Sequence, residues 1–148
     1  MESKIGFRYG ILSLIGYILF FGLMKGFNLI EIIEFRFFNL FILTGGIWLA
    51  VKHLKDNAYN SSFYYSGFLT GLTATVVGII GFALFMGVYL HFLDPNFMIF
   101  LKNNEPFGQY LNPASIMGVL FIEGLASGLI STFAVMQYYK AKTKSLNA

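Results

Sequence analysis

The sequence predicts an all-α, polytopic membrane protein: four transmembrane helices in an antiparallel bundle, with a short interfacial segment in the loop between the third and fourth. Three observations predict it. First, the 148 residues include only ten Lys or Arg and seven Asp or Glu. They leave uncharged runs at 9–24, 37–51, 57–93 and, with Glu123 set aside, 106–139. A bilayer core of roughly 30 Å needs about 20 mostly apolar residues per helix, and Lys or Arg at the ends can snorkel. Second, 57% of the residues are hydrophobic, against roughly 45–50% in soluble domains, and mean hydropathy is +0.69. The runs are apolar all round, where a soluble bundle would keep a polar face on every helix. Third, the basic residues gather between the runs and at their ends, as membrane topology requires.

The first helix is expected at about 7–27. Lys4 and Arg8 precede it as they would a signal peptide, but the run is long for an h-region, lacks an A-x-A-like site and continues past Lys25, so it reads as a retained span. After it, Glu31 and Glu34 stand three apart and predict a short amphipathic turn ahead of Arg36. The second helix is expected at about 35–53, with Trp48 near Lys52 as an interfacial anchor. The third covers about 63–93, long enough to tilt or to extend beyond the bilayer, and Asp94-Pro95 stops it. Residues 96–101 are too short to span and suit the interface. The fourth opens at Asn112-Pro113, an N-cap followed by proline at the first helical position, and runs to about 141.

Four spans put both termini and the middle loop on one side. That side holds Lys4, Arg8, Lys52, Lys55, Lys140, Lys142 and Lys144; the other holds Lys25, Arg36 and Lys102. The excess predicts cytoplasmic termini. One integral membrane domain, residues 1–148, fills the chain.

Small residues mark the packing faces. Gly67, Gly71, Ala74, Gly78 and Gly81 recur at a 4-3-4-3 spacing, a period of 3.5 that keeps them on one face. Gly124 and Gly128, followed by Ser131, repeat it on the fourth helix, and Gly6, Gly10 and Ser13 on the first. In lipid, helices associate by close backbone approach at such residues. Packing within the chain is the plain reading, and a homodimer seam at Gly67 and Gly71 the alternative. GFLTGLTAT (67–75) resembles GLASGLIST (124–132); because the two helices run in opposite directions, shared packing needs explain the match better than an inverted transporter repeat.

Glu123 is the one charge deep inside a run. It lies ten residues past Pro113, about 15 Å at 1.5 Å per residue, near mid-membrane. Its helical neighbours Gly124, Ser127 and Ser131 suggest that it faces the bundle. A charged acid there costs about 2.5 kcal/mol or more, which favours the protonated form. Such a carboxyl, hydrogen-bonded to Thr70 or Thr73, would be a structural clamp; the other reading is a proton-coupled or ligand-binding site formed with Ser127. His91 and Asp94, three apart, are a weaker outer-surface pair that could hold a metal or shuttle a proton, though two ligands are few.

Much is excluded. Without cysteine there is no disulfide framework, thiolate metal site or cysteine nucleophile. The Ser and Thr residues have no histidine near mid-membrane to act as base, so no catalytic constellation assembles. No phosphate loop or dinucleotide fingerprint occurs, and no cofactor is expected. The net charge of +3 follows topology and does not suggest nucleic acid. The expected partners are the lipid bilayer and a second copy or another membrane protein.

Gly10 within FRYGIL (7–12), Gly45-Gly46 leading into VKHLK (51–55), FYYSGFLTGL (63–72) and Asp94-Pro95 together resemble a family of small four-helix bacterial membrane proteins classed as a domain of unknown function. The resemblance covers about two thirds of the chain. It departs at Asn60-Ser-Ser62, where members often carry glycines. It implies a bacterial inner membrane and four helices, and brings no activity or site. The expected function is structural, assembly or regulatory, through helix packing and without catalysis; the alternative is a small transporter or channel subunit using Glu123 as a proton or cation site.

Overall fold

The computed structural model describes residues 2–29, 37–57 and 63–146. Its α-helices are α1 (Glu2–Gly26), α2 (Phe37–Asn57), α3 (Phe63–Val88), α4 (Pro95–Asn104) and α5 (Pro113–Leu146), and no strand occurs among the described residues. All but α4 are long and apolar enough to cross a membrane. Glu31, Glu34 and Arg36, with the turn expected there, lie outside the described residues, as do residues 60–62.

Helix ends follow local chemistry. α1 begins at Glu2, ahead of the expected 7, because its first turn already packs: Ile5 and Gly6 are buried, and Glu2 accepts a hydrogen bond from Ser66. Asn28 ends it in the left-handed region, φ 55°. There the Leu29 N–H bonds Met24 O at 2.8 Å and the Asn28 N–H bonds Lys25 O at 3.1 Å, a Schellman cap in which asparagine takes the usual glycine position. Past Val88 the chain makes one π-helical turn, Tyr89–Leu93, closed by Asp94 N–H to Tyr89 O at 3.0 Å. Asp94 then caps α4 through the Phe97 N–H at 3.1 Å, with Pro95 in the first turn. Asn112 caps α5 through the Ser115 N–H at 2.8 Å.

The small-residue stripe on α3 serves two neighbours, not one. Gly67 and Gly71 receive Met136 and Thr132 of α5, whereas Gly78 and Gly81 receive the Gly10 carbonyl and Leu14 of α1. The α3–α5 seam is antiparallel and in strict register. Gly67 faces Met136, Gly71 faces Thr132, Gly128 faces Thr75, and Gly124 faces Ile79. Each Gly-x-x-x-Gly-x-x-x-Thr motif therefore offers its glycines to the other's bulk, which is why 67–75 and 124–132 look alike. α1 runs parallel to α3: a Cβ on Gly10 would stand 2.9 Å from Ala74 O, and Tyr17 and Phe21 meet Phe82 and Phe85 higher up. The face at Gly67 and Gly71, for which a homodimer seam was the alternative to packing within the chain, is thus occupied by α5 of the same chain.

α2 meets α1 where Gly46 receives Ser13, and meets α5 through Thr44 and Ser131, hydroxyls 2.9 Å apart. Near the termini, Leu43, Ile47, Val51, Val135 and Met136 form one core. At the far end, α4 lays Met98 and Leu101 against Met86, Tyr89, Leu90 and Ile116. The aromatics of 96–101 are only half-buried; Met98 and Leu101 carry the docking. Trp48 packs on Tyr138 and Tyr139, with ring centroids 4.6 and 5.5 Å away. Lys55 lies over Tyr139 and Lys140 over Tyr64. Aromatic rings with snorkelling lysines are the signature of a membrane–water interface, and this belt marks the end that carries the termini.

Candidate functional site

Below that belt contact, α2 and α5 stay together through the Thr44–Ser131 hydroxyl pair and the core around Ile47 and Val135. Farther from the termini they part, and a cavity of about 290 Å³ opens between them. Its floor is Tyr17 of α1 with Ile79 and Phe82 of α3; its walls are Phe37, Asn39, Leu40 and Leu43 of α2 and Leu120, Glu123, Gly124 and Ser127 of α5. Tyr17 and Leu43 are buried, while Phe37, Leu40 and Glu123 are exposed, so the mouth faces sideways between α2 and α5.

Glu123 does not face the bundle interior, contrary to the expectation. Gly124 and Gly128 point at α3, and one residue of helix rotation carries Glu123 about 100° away from that seam, onto the rim of the cleft. It makes no hydrogen bond or ion pair among the described residues. Nor do Thr70 and Thr73 reach it: both hydroxyls bond back to their own helix, to Ser66 O and Leu69 O, each at 2.8 Å. The register places Glu123 beside Ile79, so Thr70 lies about two and a half turns nearer the termini. The clamp expected between them is not formed. Ser127, one turn along α5, does share the cavity.

Glu123 is about 22 Å of helix rise from Tyr138 in the aromatic belt and about 15 Å from Pro113. It stands near the middle of the span.

Two lining residues went unnoticed in the sequence: Tyr17 and Asn39. Asn39 Oδ1 is buried without a hydrogen-bond partner. Each is a polar side chain inside a predicted span, which is itself a signal, but their shared depth with Glu123 depends on how the helices pack.

The outer pair separates. His91 is exposed and contacts Phe92 edge-on. Asp94 instead pairs with Lys25 of α1 at 3.1 Å, accepts from the Tyr89 hydroxyl at 3.2 Å, and caps α4. Lys25 also bonds the Tyr89 hydroxyl. No group of three or more potential metal-ligating His, Cys, Asp or Glu occurs among the described residues. The Lys25 ammonium holds the Asp94 carboxyl below its ordinary range, against partial burial, and the Phe97 N–H adds to the lowering. A depressed carboxylate stabilises the fold above its unfolded value and loses that contribution as pH falls through the folded one. Asp94→Ala should therefore cost about 1 kcal/mol at neutral pH through the lost cap. Asp94→Asn should keep the cap and flatten the acid limb of a melting-temperature–pH profile; an unchanged acid limb in that variant would refute the assignment.

Four membrane-spanning helices around a lateral, carboxylate-bearing cleft define a multi-pass helical membrane protein. Comparison with protein-family models, curated proteins and solved structures found no match.

Proposed function

We propose that this chain is a non-enzymatic membrane protein that binds a proton or a cation at Glu123, acting as a small transporter or channel subunit. One observation carries the reading: a mid-span carboxylate without a partner among the described residues stands on the rim of a cavity. A charge placed there lowers stability, and no packing contact explains its presence. The glycines of the α3–α5 seam, Gly67, Gly71, Gly124 and Gly128, by contrast, are accounted for by packing. Purified protein in liposomes should show a pH-dependent proton or monovalent-cation flux that falls at least severalfold in Glu123→Gln. Absence of flux across a panel of ions would count against the reading.

Assembly with a second copy or another membrane protein, through helix packing, is the second reading. Gly22 and Gly26, four apart on α1, meet nothing within 4 Å, so that face is open to a close helix contact. Four helices rarely enclose a pathway alone, so both readings can hold together. The setting we propose is a bacterial inner membrane with cytoplasmic termini, resting on the seven-to-three split of Lys and Arg between the two sides. The chain has no cysteine, which makes a direct test clean. Lys55→Cys should react with an impermeant maleimide only after the membrane is opened, and Lys102→Cys in intact cells; the reverse pattern would invert the topology.

A further inference from the structure

The chemistry of the cleft points to one class of occupant. Its polar atoms include two acceptors left open, the Glu123 carboxylate and the buried Asn39 Oδ1. Three of its lining side chains are aromatic: Tyr17, Phe37 and Phe82. Among the described residues, no lysine, arginine or histidine lines it. What would complement this surface is a positive charge with N–H donors on an apolar body. Aromatic faces attract cations, most strongly when the pair is desolvated, and an ammonium donating to a carboxylate forms a charge-assisted hydrogen bond. A hard inorganic cation fits less well, since calcium and magnesium call for six or more oxygen ligands and the walls are mainly carbon.

We propose that the cleft is a binding site for a small lipophilic organic ammonium, which enters sideways from the bilayer between α2 and α5. The proposal rests on the reading of Glu123 as a binding group and specifies its ligand. Position supports the route. The mouth is bounded by exposed apolar side chains, Phe37 and Leu40, a surface that suits a membrane-soluble molecule. Size restricts the class. A cavity of about 290 Å³ is at the small end of ligand pockets and holds the volume of roughly ten water molecules. That admits a single-ring amine. The other titratable group facing Glu123 across the cleft is the Tyr17 phenol of α1; the described residues of α2 and α3 that line it carry none.

The test uses the full chain in nanodiscs of zwitterionic phosphatidylcholine, with 2-phenylethylammonium as the probe and calorimetry or equilibrium dialysis as the readout. The expected result is saturable binding, one per chain, weakened roughly tenfold or more in Glu123→Gln and severalfold in Phe82→Leu. The neutral 3-phenylpropan-1-ol and the anionic 3-phenylpropionate should bind at least tenfold more weakly than the amine. Thermal melts of each variant confirm that it is folded; Asn39→Leu serves as a second cleft variant and should also weaken binding. Equal binding to wild type and Glu123→Gln overturns the proposal, as does alcohol binding as tight as that of the amine. Glu123-dependent proton or cation flux without amine binding would sink the ligand class alone. Absence of both would sink the function proposed above as well.

Discussion

Replacing Gly71 by leucine should cost the bundle about 3 kcal/mol, the upper part of the usual range for overpacking a filled contact. A single Cβ on Gly71 would already stand 2.5 Å from Thr132 Cγ2 and 2.7 Å from its Oγ1, and both helices are held in register by the contacts one turn either side. The cost should be one of shape. Thr132 Oγ1 is buried without a partner, so Thr132→Val, which preserves the outline and removes the hydroxyl, should be near neutral or slightly stabilising. Moving the knob to the other helix, Gly71→Thr with Thr132→Gly, should recover much of what Gly71→Thr alone loses. Melting temperature and monodispersity in mild detergent read all four variants. A Gly71→Leu protein that melts within a degree or two of wild type would show that the seam is not as close as described.

Glu123→Leu should act in the opposite direction and raise stability by roughly 2 kcal/mol, the order of the cost of an ionisable side chain at the bilayer centre. It gives up no hydrogen bond or ion pair among the described residues, and it adds apolar surface at the mouth of a largely apolar cleft. The sign is what matters. A carboxyl clamping α5 to α3 would, on removal, leave a partner unsatisfied and destabilise by about 1–3 kcal/mol. Stabilisation together with lost binding or flux is the pattern of a functional group held at the expense of the fold. A clear drop in melting temperature for Glu123→Leu would return Glu123 to a structural role.

The glycine stripe shows how far sequence reading reaches. Period 3.5 over Gly67, Gly71, Ala74, Gly78 and Gly81 correctly marked a close-packed face of α3. It could not reveal that the lower half of the stripe receives α5 and the upper half α1, because both neighbours satisfy the same local need for a small residue. The likeness between 67–75 and 124–132 was visible too, but its reason lies in the antiparallel register, where Gly71 meets Thr132 and Gly128 meets Thr75. Helix ends were legible wherever a cap or a proline announces them, as at Asp94-Pro95 and Asn112-Pro113. The start of α1 was not, since Glu2 to Gly6 are helical through contacts with Ser66 and Thr70, sixty residues away.

Glu123 was legible as an anomaly and misread in direction. Its serine and glycine neighbours suggested an interior face, yet those glycines serve the α3 seam and so rotate the carboxylate to the rim. Lys25 looked like a topology marker and proves to be the partner of Asp94.

Charge placement and apolar run length alone determined the four spans and the position of Glu123 along its helix, because those depend only on the chain's own register along each helix. The rotation of each helix about its axis, the sharing of α3 between α1 and α5, and the opening between α2 and α5 were decided by tertiary structure. These follow from how knobs such as Thr132, Thr75 and Met136 find holes on segments distant in sequence, and no local pattern contains that match.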